Sequence, residues 1–65
     1  MFYLYVISDS GAGYYVSHAD YDLNLTPNVN GAASFPSKTI AEALSDYLSD
    51  NISGVSYCEI IDARQ

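Results

Sequence analysis

Phe2-Tyr3-Leu4-Tyr5-Val6-Ile7 is an unbroken run of aromatic, branched and aliphatic residues, the composition of a β-strand. Side chains alternate across a strand, so Phe2, Leu4 and Val6 point one way while Tyr3, Tyr5 and Ile7 point the other. Both sets favour burial. The rest of the chain carries one clear amphipathic helix, which can hide one face of a small sheet; the other face is left for a second copy or a different protein.

Downstream of this strand, Ser8-Asp9-Ser10-Gly11-Ala12-Gly13 is rich in turn residues, and Tyr14-Tyr15-Val16-Ser17-His18 follows as a hairpin partner. Tyr21, Leu23 and Leu25 alternate with Asp22, Asn24 and Thr26. That period of two predicts a third strand at an edge with one wet face. Pro27-Asn28-Val29-Asn30-Gly31 breaks it, and residues 32–35 read either as a short return strand or as the approach to the helix.

The helix follows Pro36, which bars helical structure upstream. Ser37 or Thr39 can cap it, Thr39 forming a capping box with Glu42. At 100° per residue, Ile40, Leu44, Tyr47 and Leu48 share one side. Lys38, Glu42, Ser45, Asp46, Ser49 and Asp50 share the other. Asp50-Asn51 and Ser53-Gly54 end the helix, and residues 55–61 form the last strand. The expected fold is a single α+β domain over residues 1–65, an antiparallel sheet of four or five strands with one helix on one face, in the order β-β-β-(β)-α-β.

Composition narrows the function classes. Sixty-five residues is close to the size at which buried area and chain entropy cancel, so association would add stability. Eight acids against Lys38 and Arg64 give a net charge of −6. This argues against nucleic acid, whose binding rests on neutralising phosphate, and favours a basic partner; the plainer reading is solubility. The lone Cys58 forms no internal bridge, which fits a reducing, cytoplasmic compartment. The apolar opening stops at Ser8-Asp9, too short for a signal core or a membrane span. Asn24-Leu25-Thr26 and Asn51-Ile52-Ser53 match the glycosylation triplet, a chance match without export.

Motifs with chemical potential fail on their details. Asp20, Asp22 and Asn24 copy the start of a calcium loop, but Leu25 stands where the turn needs Gly and Gly31 where the bidentate Glu belongs. His18 beside Asp20 and Asp22 reads as a surface histidine rather than a metal ligand. Asp9 makes Gly11-Ala12-Gly13 repel a phosphate. Cys58 shares a strand face with Ser56 and Ile60 and reads as core packing, not as a nucleophile for His18. No catalytic residue, metal or cofactor is assigned, and the chain reads as a non-enzyme.

Two constellations remain. Tyr3, Tyr5, Tyr15 and Tyr57 fall together on the sheet face away from the helix, where tyrosine supplies rigid contact area with a polar end; β-propensity alone also explains these residues. Glu42, Asp46 and Asp50 form a helix stripe, spaced by about 6 Å along the axis. Like charges four apart cost roughly 0.2–0.5 kcal/mol per pair, and Asp50 sits near the negative end of the helix dipole, so stability did not select the stripe.

The run from Gly31 through Phe35-Pro36-Ser37 to the alanine-rich helix start, Lys38-Thr39-Ile40-Ala41-Glu42-Ala43-Leu44, follows a tyrosine-rich hairpin and precedes a short strand. This plan, with its acidity, resembles small accessory proteins of bacteriophages, including anti-CRISPR and other anti-defence inhibitors. The resemblance implies a stoichiometric blocker that binds a basic surface of a host enzyme or defence complex. The alternative from the residues is a homo-oligomeric structural protein whose tyrosine face is used in self-association.

Overall fold

In the computed structural model, which describes residues 1–18 and 24–62, the chain is a four-stranded antiparallel sheet with a helix against one face. Strand β1 (Phe2–Ser8) pairs with β2 (Gly13–Val16) on one side and β4 (Val55–Asp62) on the other, while β3 (Leu25–Thr26) pairs with β2 at the far edge. The order is β3-β2-β1-β4, so the chain crosses the sheet between β3 and β4 by way of helix α1 (Lys38–Asn51). Of the expected third strand, Leu25–Thr26 is strand; Tyr21 and Leu23 lie outside the described residues.

Register gives each face its content, because residues opposite one another point the same way. Leu4 faces Ile60, Val6 faces Cys58 and Tyr14, and Phe2 faces Asp62, all on the helix side. There Leu4, Val6 and Val16 meet Ala41, Leu44 and Leu48 of α1, with Phe35 closing one end. These seven side chains are buried, and each fully covered Leu, Val or Phe contributes roughly 1.5–3 kcal/mol to folding.

Residues 32–35 form no strand. Phe35 instead makes one bridge to Phe2, donating its N–H to the Phe2 carbonyl at 2.8 Å and accepting the Phe2 N–H at 2.9 Å, while the Ala33 N–H donates to the Val16 carbonyl at 2.9 Å. Phe35 precedes Pro36, which favours extended backbone there. The bridge fixes the Phe35 backbone, and its side chain is buried in the core cluster.

The helix takes the first of its two expected caps and departs from the expected buried face. Its cap is Ser37, whose Oγ accepts the Ile40 N–H at 3.2 Å. That places Ile40, not Glu42, three residues past the cap, so the Thr39–Glu42 capping box does not form. The buried stripe is Ala41, Leu44 and Leu48, with Ile40 51% and Tyr47 38% exposed. Rotation onto Ala41 carries Ile40 and Tyr47 about 75° and 95° from the buried direction at 100° per residue. The hydrophobic arc in the sequence is wider than the contact.

At the other end the Ile52 N–H donates to the Leu48 carbonyl at 3.1 Å, and Gly54 takes a φ of 92°, which favours glycine. The Gly54 carbonyl then accepts the Asp9 N–H at 3.0 Å, tying the β1–β2 turn to the entry of β4.

The rotated helix face is open to direct measurement. Leu44→Ala should cost about 2–5 kcal/mol in urea unfolding, a large share of the stability of so small a domain. Ile40→Ala should stay within about 0.5 kcal/mol of wild type. Equal losses at both positions would contradict this packing.

Candidate functional site

The opposite face of the sheet carries the odd-numbered side chains of β1 and their partners. Tyr5 stands opposite Tyr15 and Glu59, Tyr3 opposite Ile61, Ile7 opposite Gly13 and Tyr57, and Thr26 opposite Tyr15. Thr26, Tyr15, Tyr5 and Glu59 therefore form one row across all four strands. Helix α1 packs on the other face; at the β3 edge of this one, Gly31 of a short 3-10 turn (Val29–Gly31) lies close to the Thr26 side chain.

The tyrosines pack on one another. The rings of Tyr5 and Tyr15 lie 4.9 Å apart at 62°, and those of Tyr3 and Tyr15 6.5 Å apart at 80°. Both are edge-on arrangements, which place the positive edge of one ring against the negative face of the next and add about 0.5–1.5 kcal/mol per pair beyond burial. Gly13 makes room for this. A Cβ at that position would run into the hydroxyl end of the Tyr5 ring, so glycine lets the phenol lie across β2.

Toward β4 the face opens. Tyr57 is 52% exposed and Ile61 36%, while Tyr3, Tyr5, Ile7 and Tyr15 are half-buried. Glu59 is exposed, flanked along its strand by Tyr57 and Ile61 and opposed by Tyr5. Sequence reasoning assigned the four tyrosines to this face and left Glu59 unassigned. The signal was present, since alternation that puts Cys58 inward puts Tyr57, Glu59 and Ile61 outward together.

Glu42, Asp46 and Asp50 are exposed on the helix. At 100° per residue their mean direction lies about 165° from that of Ala41, Leu44 and Leu48, on the side away from the sheet. The stripe and the tyrosine face thus stand on opposite sides of the protein. A single flat surface meets one or the other.

The remaining candidates fall elsewhere. Cys58 is half-buried on the helix side, opposite Val6 and packed against the core, with the Ser49 hydroxyl 3.9 Å from its sulfur. His18 is exposed, its Nδ1 3.0 Å from the Ser17 hydroxyl. Asp20 and Asp22 lie outside the described residues. Among the described residues no three His, Cys, Asp or Glu side chains gather in a metal-binding group, and no helix is long and apolar enough to cross a membrane.

No protein-family model, curated protein or solved structure matches this chain. The reading of the face rests on its own residues.

The contact between Gly13 and Tyr5 supplies a test of the face as an ordered surface. Gly13→Ala should displace the Tyr5 ring, reduce the near-ultraviolet circular dichroism of the tyrosine cluster and cost about 1–3 kcal/mol, the usual effect of overpacking. Unchanged spectra and stability would mean that Tyr5 does not lie over β2.

Proposed function

We propose that this chain is a protein-binding module that docks the open face of its sheet on a basic protein surface and acts by occupying it. The observation that carries the reading is the grouping of Tyr3, Tyr5, Tyr15 and Tyr57 with Glu59 on the face that α1 leaves uncovered. Rigid phenol rings give contact area at low entropic cost, and a carboxylate beside them selects Arg or Lys. A guanidinium that reaches Glu59 lays its stem over Tyr57 and Tyr5, adding cation–π attraction of about 0.5–2 kcal/mol as water is excluded. The net charge of −6 draws the same partner in from a distance.

Occupying a basic surface means blocking whatever that surface ordinarily binds. The reading therefore extends to inhibition of a host enzyme or defence complex in the cytoplasm, the mode implied by the resemblance to small acidic phage proteins. It requires no catalytic step and no cofactor. Self-association through the same face is the alternative, favoured by the exposure of Tyr57 and Ile61 and opposed by the like charge of two copies.

The face and the helix stripe separate under mutation. With a partner captured from a host lysate, Glu59→Lys and the pair Tyr3→Ala with Tyr57→Ala should each weaken binding by at least about tenfold, through faster dissociation. Reversing Glu42, Asp46 and Asp50 to Lys should mainly slow association, by a factor that shrinks as salt is raised. Loss of binding in the stripe variant alone would move the interface to the helix. A dimer mass in light scattering that Tyr5→Lys converts to monomer would assign the face to a second copy.

A further inference from the structure

Strand β4 ends the sheet, and its backbone has a second side. Phe2 exchanges both of its backbone hydrogen bonds with Phe35, and the Ser8 N–H donates to the Ala12 carbonyl, so the even-numbered residues of β1 turn their N–H and C=O groups away from β4. The odd-numbered residues Tyr3, Tyr5 and Ile7 accordingly bond Ile61, Glu59 and Tyr57. Alternation then turns the N–H and C=O groups of Cys58 and Ile60 outward, away from β1, and no element among the described residues lies on that side. These four groups sit midway along a strand of eight residues. Unpaired backbone in such a row is a template for another strand.

We infer that the free edge of β4 takes up an extended, basic segment of the partner as a fifth strand. The inference rests on the proposed binding of a basic protein and gives the conformation in which that protein engages. The charge pattern selects the occupant. Glu59 stands between Cys58 and Ile60 with its side chain on the tyrosine face, flanked by Tyr57 and Ile61. An added strand that bonds Cys58 and Ile60 sets its own central side chain directly beside Glu59, where Lys or Arg is matched and Asp or Glu is repelled. On the helix side its neighbouring residues meet half-buried Cys58 and Ile60, which favour apolar contacts. The recognised pattern is therefore apolar, basic, apolar in extended form. Backbone bonds provide affinity and the alternating side chains provide selection, as in other cases of strand addition.

The test uses the intact protein and a blocked peptide alternating valine and lysine, followed by backbone amide exchange. Peptide at saturation should slow exchange of the Cys58 and Ile60 N–H groups by about tenfold or more, because each becomes a ladder donor. The same peptide N-methylated at alternate backbone nitrogens, with its charge intact, should give no protection. A version with glutamate in place of lysine should not bind, and Glu59→Lys should reverse that preference. Binding that shifts the resonances of Tyr3 and Tyr15 while Cys58 and Ile60 exchange at their free rates would overturn the edge inference and leave the face as the docking site. Absence of any binding would also overturn it. Protection of Cys58 and Ile60 that rises with protein concentration and needs no peptide would overturn it in favour of a second copy.

Discussion

A helix can cover only one side of a sheet, and the structure is organised by that limit. Leu4 and Val6 go under α1 because Ala41, Leu44 and Leu48 give them a surface to meet. The same strand must then present Tyr3, Tyr5 and Ile7 on the reverse, since alternation leaves no other place for them. The strand lies between β2 and β4, so whatever it turns outward becomes the middle of the open face.

Tyrosine is the residue type that makes this arrangement tolerable. A face of leucine or isoleucine would be a large exposed apolar patch and an aggregation hazard. Phenol rings pack edge-on with one another, as Tyr15 does with Tyr3 and Tyr5, and each carries a polar hydroxyl that a leucine or isoleucine would lack. Glu59 adds a charge within the face and at the outer strand β4, a position that discourages pairing with a like-charged strand. The carboxylate that would oppose pairing between two copies is the same group that the proposed binding of a basic segment uses.

Local signals were read well from sequence, and non-local ones less so. The first hairpin, the helix and the last strand were legible because turn residues and hydrophobic period coincide there. The position of β4 beside β1 depends on pairing between residues 47 to 60 apart in the chain, which no window of sequence contains. Hydropathy groups Ile40 with the buried set, whereas the helix turns Ala41 to the sheet and leaves Ile40 exposed. Thr39 with Glu42 satisfied a capping pattern, yet Ser37, directly after Pro36, starts the helix two residues earlier. Residues 32–35 were ambiguous because a single bridge by Phe35 leaves no periodic trace. At the candidate site, the four tyrosines followed from alternation. Glu59 gives a weaker signal, a single acid in a strand, than the regular helix stripe, which faces away from the tyrosines.

The central claim is that binding occurs on the sheet face that α1 leaves uncovered. Tyrosines on both sides of the molecule give an internal control: Tyr3, Tyr5, Tyr15 and Tyr57 belong to the open face, whereas Tyr14 lies on the helix side of the sheet and Tyr47 on the helix. Hydroxyl-radical footprinting of the protein alone and bound to its captured partner reads all six together. Binding on the open face lowers oxidation of its four tyrosines, Tyr57 most of all, and leaves Tyr14 and Tyr47 as they were. Protection confined to Tyr47, with the open face oxidised as before, would contradict it.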